Sequence, residues 1–198
     1  MVTQLLSEVT SPVQIKRSNR QVAIIPFETY DLSEFRDSLD AASIIFDLEP
    51  NFSSDAFITS DFSEAETQRK QRDAVRVIQA ASTILKASDE NPRYALVVTK
   101  QDIFATRFNF VFGLANHSLG VGLISTARLT EWHDGISPAQ MKERVLKEAA
   151  HEIGHLGGLV HCEKETCLMA FSETIEKVDQ KLPMLCEDCR RKLKTSGR

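Results

Sequence analysis

HEIGHLGGLVH, residues 151–161, sets three histidines and a glutamate at a spacing that a single metal ion can use. On a helix, side chains four apart share a face about 6 Å apart, so His151 and His155 can turn ring nitrogens to one ion at ~2.0–2.1 Å. Glu152, next to the first of them, can reach water on that ion. Gly158 lies three residues beyond His155 and can take a positive φ without a Cβ clash. It can therefore end the helix and turn the chain so that His161 completes a tripod. Three neutral imidazoles leave one coordination place open to water and then to substrate, which is the form of a catalytic zinc site. Such a metal lowers the pKa of its water to about 7 and polarises a carbonyl. A carboxylate within reach then takes the water's proton and later hands it to a leaving amine, and Glu152 is the residue the sequence places for that role. The bland alternative is an HExxH that arises by chance on an amphipathic helix; Gly158 and His161 at matching spacing argue against it. His117 and His133 stand alone in expected loops, read as solvated, and receive no role.

Immediately after the third histidine a second constellation begins. Cys162, Cys167, Cys186 and Cys189 are separated by four, eighteen and two residues. Two short-spaced pairs joined by a loop form the sequence pattern of a closed tetrathiolate zinc site, which serves to fold its own segment. An iron–sulfur cluster, a pair of disulfides or a redox Cys-x-x-Cys are the alternatives. Residues 159–198 hold too few apolar side chains to pack alone. Because His161 and Cys162 are consecutive, a metal held by the thiols would help to aim the third imidazole.

Upstream, the runs Val22–Phe27, Tyr94–Thr99, Phe108–Phe112 and Val121–Ser125 are β-prone and bounded by turn residues, so four strands are predicted. Apolar residues at helical spacing from Ser63 to about Ala87, with Ser63 and Glu66 as a capping box, predict a long amphipathic helix. Ser137-Pro138-Ala139-Gln140 combines an N-cap serine with proline in the first turn. A second helix is predicted from there to about Gly157, carrying His151 and His155. Another helix is expected only in the last dozen residues, and residues 1–20 read as a loosely held arm or edge strand.

The chain has 198 residues, 42% of them hydrophobic, and a formal net charge of -4. That is enough for one substantial core, and it provides no global field to attract nucleic acid or an anionic membrane. The basic tail CRRKLKTSGR is weak evidence on its own. Neither a secretory leader nor an apolar run of ~18 residues is apparent, and the cysteines are clustered instead of distributed as staples. A soluble protein of a reducing, cytoplasmic compartment is expected, acting as a monomer without membrane or nucleic-acid partners.

The run HEIGHLGGLVHCEKETCLM, followed by CEDC, resembles the archaemetzincins, whose HExxHxxGxxH motif merges into a four-cysteine site. The resemblance is specific over residues 151–189. It implies His151, His155 and His161 on a catalytic zinc, Glu152 as proton acceptor, and the four cysteines on a second, structural zinc, two ions per chain. Met169 would be the methionine of a turn beneath the catalytic metal, although packing alone reads it as core. The fold implied is a zincin-like α/β (α+β) domain spanning 1–198. A mixed twisted sheet with a long backing helix and an active-site helix fills about 20–158, and a small zinc-bearing subdomain follows at about 159–198. The activity implied is hydrolysis of peptide bonds in a peptide or protein substrate, which metzincins bind as a strand added to a sheet edge. Phe110 to Phe112 or Val121 to Ser125 are candidates for that edge, with ordinary core as the simpler reading of the phenylalanines. Two other readings stay open: a non-catalytic zinc protein that binds a protein or nucleic acid, and a hydrolase of a non-peptide amide.

Overall fold

The computed structural model describes residues 20–53, 70–87, 92–130 and 136–196. Its centre is a five-stranded sheet in the order β2-β1-β4-β8-β7. The three inner strands are β1 (Gln21–Pro26), β4 (Tyr94–Thr99) and β8 (Val121–Ser125), all parallel. Each is an apolar run buried on both faces, as strands covered by helices on either side must be. Alternation along β1 divides the core. Val22 and Ile24 face one cluster with Leu96, Val98 and Ile124, while Ala23 and Ile25 face the other with Val97 and Leu123. The first cluster is closed by α1 (Arg36–Ile44) and α3 (Pro138–Leu156), the second by α2 (Ala74–Ala87).

The edges are β2 (Glu49–Phe52), parallel to β1, and β7 (Gly113–Asn116), antiparallel to β8. A smaller sheet joins β3 (Arg72–Asp73), β5 (Ile103–Ala105) and β6 (Phe108–Val111) in that order. The four predicted strands therefore exist. α1, β2, β3, β5 and β7 were not anticipated, and their sequences explain why. Within α1 the buried positions include Ser38 and Ser43, whose hydroxyls bond to Lys142 O and Leu39 O, both at 2.9 Å, so its apolar stripe is interrupted by serine. β2 carries Pro50, tolerable only at an edge, and β7 reads Gly-Leu-Ala-Asn, a turn by composition.

The predicted long helix needs correction at its start. α2 begins at Ala74, because Arg72 and Asp73 are taken into the ladder with Ile103 and Phe104. Asp73 supplies the cap, its Oδ1 accepting from Val75 N at 2.9 Å. Ser63 and Glu66, the expected capping box, lie outside the described residues, as does the N-terminal arm. α3 starts as predicted: Ser137 Oγ accepts from Gln140 N at 3.2 Å, and Pro138 follows in the first turn.

Beyond α3 the chain runs through a short helix α4 (Ile175–Gln180) to α5 (Glu187–Ser196). Leu159, Leu168, Met169, Val178 and Leu185 are buried in the same cluster as Val145, Ala149 and Ile153 of α3. This segment is thus held by α3 and not by a core of its own. Among the described residues, no helix is long and apolar enough to cross a membrane.

Candidate metal centre

α3 carries His151 and His155 on the face turned toward the C-terminal segment. His151 Nδ1 lies 2.9 Å from Leu168 O, and His155 Nδ1 lies 2.7 Å from Leu159 O. A carbonyl can only accept, so each Nδ1 bears the proton and each Nε2 offers a lone pair. The two Nε2 atoms lie 3.1 Å apart. Facing lone pairs at that distance need a cation between them or a proton on one ring. Burial opposes the proton, since it pulls the pKa of His151 well below 6.5, with the Lys181 and His155 charges adding to it, and lowers His155 and His161 as well. The histidine set therefore suits a metal ion.

The third imidazole arrives through the turn expected from Gly158. Its φ is 88°, its N–H donates to His155 O at 2.9 Å, and Leu159 N donates to Gly154 O at 3.0 Å. These two bonds close the helix in a Schellman motif. The His161 ring then lies 5.3 Å from that of His151 and 4.9 Å from that of His155. One ligand atom from each of the three residues falls within 4.8 Å of the others.

Glu152 is buried, and its Oε2 has no hydrogen-bond partner among the described residues. A carboxylate with an unpartnered oxygen, lining the same cleft as the three imidazoles, fits a site made for a metal and its water. Burial first, and Glu148 second, raise its pKa well above 4.5. The other side of the carboxylate rests against the backbone of β7, where a Cβ on Gly113 would lie 2.5 Å from Glu152 Oε1. Met169 is fully buried beneath α3, so close to Gly154 that a Cβ there would collide with its sulfur. The methionine is thus both a core residue and a floor under the turn of helix that carries His151 and His155.

The four cysteines come together as predicted, with their sulfurs all within 4.8 Å of one another. Cys162 Sγ lies 3.8 Å from Cys186 Sγ, and Cys167 Sγ lies 3.8 Å from Cys189 Sγ. These separations are far beyond the ~2.05 Å of a disulfide, which removes the reading as two disulfides. A backbone hydrogen bond at Cys189 helps to push the Cys186 thiol down to about 7, while burial pushes Cys189 up. The two clusters are joined by the His161–Cys162 peptide, and Cys162 N donates to Met169 O at 2.8 Å.

A cleft of about 1410 Å³ opens over the histidines, between β7 and the segment bearing His161 and Phe171. Of the two candidate edges, β8 is excluded because it lies between β4 and β7, whereas Phe108–Val111 forms the edge of the smaller sheet and, with Phe112, lines the cleft. β7, the edge of the larger sheet, lines the cleft beside it. Sequence reasoning also passed over three contributors. Gly113 could have been suspected as a glycine next to a strand-forming run. His117, read as solvated, sets its Nδ1 2.7 Å from Leu156 O at the end of α3. Glu148, one turn before His151 on α3, pairs with Lys181 at 2.6 Å, and both are buried. His133 lies outside the described residues.

Comparison with known proteins agrees with this geometry. The sequence profile described as "Peptidase family M54" matches residues 80–195, more than half the chain. The chain belongs to peptidase family M54, the archaemetzincins. It is a zinc-dependent metallopeptidase. An archaemetzincin of Aeropyrum pernix is 40% identical over 126 residues, covering 64% of this chain and 67% of the relative. The crystal structure of archaemetzincin from Methanopyrus kandleri superimposes with a TM-score of 0.77 at 27% identity, covering 92% of this chain and 98% of that one. A zinc-dependent peptidase from Methanocorpusculum labreanum gives 0.74 at 25% identity, covering 87% and 99%. Archaemetzincins thus share the zincin-like α/β architecture described above.

Proposed function

We propose that the chain cleaves peptide bonds with a zinc ion held by His151, His155 and His161, and with Glu152 as general base. The observation that carries this reading is the pairing of two Nε2 lone pairs 3.1 Å apart with a buried Glu152 whose Oε2 has no partner among the described residues and which lines the same cleft. Bound there, zinc supplies Lewis acidity, lowering the pKa of water and polarising a carbonyl. Glu152 Oε2 takes the proton of the attacking water and returns it to the leaving amine. Its burial keeps the proton near the reacting atoms, and the backbone of Gly113 holds the carboxylate in place. The carbonyls of Leu168 and Leu159 fix the tautomer and orientation of two of the ligands. Cys162, Cys167, Cys186 and Cys189 hold a second zinc of structural role, supported by their four converging sulfurs.

The substrate is an extended stretch of peptide that adds to the open side of β7, whose other side is paired with β8. The chain works as a single catalytic domain, with an upper subdomain of about 20–158 and a C-terminal subdomain of about 159–198. Four unbonded thiols support a reducing, cytoplasmic setting, and monomeric action is part of the same reading.

Glu152→Ala tests the mechanism, because it removes the base and leaves every proposed ligand in place. Zinc content should persist while peptide hydrolysis falls by about 10²–10⁴-fold, the usual contribution of general acid–base catalysis. Cleavage at the parent rate with zinc bound would refute Glu152 as the general base.

A further inference from the structure

The largest fully buried side chain of the described residues is a lysine. Lys181 is 1% exposed, and its Nζ lies 2.6 Å from Oε1 of Glu148, itself 3% exposed. A buried ion pair contributes little net stability, because desolvation offsets the attraction, and apolar replacements of similar volume are often neutral. What such a pair does supply is a fixed distance and direction between two backbone segments.

Following those segments leads back to the histidine site. Glu148 stands one turn before His151 on α3. Lys181 begins the stretch that lies alongside residues 166–168, where Leu182 N donates to Thr166 O at 3.0 Å and Leu168 N donates to Met184 O at 3.1 Å. The carbonyl of Leu168 accepts the Nδ1–H of His151 at 2.9 Å. The links form a closed circuit: Glu148 to Lys181, along the chain to Met184, across to Leu168, on to His151, and back along α3 to Glu148.

A second set of contacts pins the same stretch farther up the helix. Asp179 receives Arg144 through two bonds of 2.7 and 2.6 Å and Gln140 at 3.2 Å, and its carbonyl receives Lys147 Nζ at 3.2 Å. Asp179 therefore fixes where the stretch sits along α3. The Lys181 contact, nearest His151, sets how closely the Leu168 carbonyl approaches the ring.

We propose that Lys181 is a positioning residue of the histidine site: by gripping Glu148 it places the Leu168 carbonyl, and through that carbonyl it orients the His151 ring. The inference rests on the reading of His151 as a metal ligand. Loss of a group that orients a metal-binding histidine typically costs 10- to 100-fold in metal affinity or activity.

The test uses the full chain with Glu148 and Lys181 both replaced by methionine, which removes the pair without leaving a lone buried charge. Three quantities are read: the melting temperature of protein emptied of metal at the histidine site alone by mild chelation, the optical titration of that site with cobalt(II), and kcat and KM on a peptide substrate. The double variant should melt close to the parent. Its cobalt affinity should fall about 10- to 100-fold, and kcat should fall while KM holds. A pair with a merely structural role would leave cobalt affinity and kcat untouched, and that result would overturn the proposal. Lys181→Arg is the second variant, for the case in which the double one does not fold. It keeps the charge, but a larger planar group in a filled space must displace the stretch. A smaller fall in cobalt affinity is expected, and parent affinity in a folded Lys181→Arg protein overturns the proposal equally. His151→Ala separates the two ways of failing. If it abolishes the cobalt signal while the pair variants keep parent affinity, the positioning idea alone is wrong. If it leaves the signal intact, the ligand reading falls and the positioning idea falls with it.

Discussion

Glu152 touches two things with opposite demands: its Oε2 needs open space beside the imidazoles, and its Oε1 rests on the backbone of Gly113. Only a residue without Cβ permits that second approach. A methyl at position 113, 2.5 Å from Oε1, has to move either the carboxylate or the edge strand. Gly113→Ala should therefore lower kcat by about an order of magnitude or more while zinc content stays at the parent level, since a misplaced catalytic group of about 1 Å costs on the order of 10²-fold. Metal analysis beside steady-state kinetics checks this, and a fully active Gly113→Ala enzyme would show that the carboxylate has slack the structure does not display. His117 belongs to the same scale. The sequence offered nothing to separate it from a solvated loop histidine, because its partner, Leu156 O, is 39 positions away.

At the scale of elements, α3 was legible almost to its ends because its signals are local: Ser137 and Pro138 at the start, Gly158 at the finish, and a motif whose spacing is that of the helix itself. Its histidines also carry a pH dependence. In the metal-free protein their pKa values lie below 6.5, so beneath that pH the unfolded chain takes up protons that the folded chain refuses. Stability should fall as pH drops through 6.5 toward the depressed folded values, and it should be flat above. Glu152 acts in the opposite sense, its raised folded pKa costing stability as pH rises through 4.5. Melting curves of metal-free Glu152→Gln isolate the histidine contribution, and a melting temperature that does not fall below pH 6.5 would contradict the burial of these rings. The segment from α4 to α5 depends on a different device. Cys186→Ser should expose residues 159–196 to limited proteolysis and weaken metal binding at the histidines, because His161 and Cys162 share a peptide and a structural zinc contributes folding energy directly. A protected tail with unchanged histidine-site affinity would uncouple the two clusters.

For the whole molecule the proposed division into an open tripod and a closed thiolate set has a stoichiometric consequence. Protein prepared without chelator should contain close to two zinc equivalents, and mild chelation should remove the histidine-held ion first, since three neutral ligands grip less than four thiolates. One equivalent, or iron in place of zinc, would refute it. The sequence by itself determined the candidate metal chemistry: seven ligand candidates, the proposed base, and the turn at Gly158 all lie within 39 consecutive residues, where helical spacing and glycine's freedom decide what meets what. It also determined the inner strands, whose unbroken apolar runs can only be buried on both faces. Only the tertiary structure decided that β7 forms an edge of the cleft, because β7 is composed like a turn and is made a strand by pairing with β8. The tertiary structure likewise decided where α2 begins, since Arg72 and Asp73 are claimed by a strand 31 positions further on. Lys181 and Glu148 belong to the same class: 33 positions separate them, and nothing in a charged residue's sequence neighbourhood says that it will be buried against its partner. Local rules write the ligands into the chain, whereas the contacts that aim them are made between segments that meet only once the core has closed.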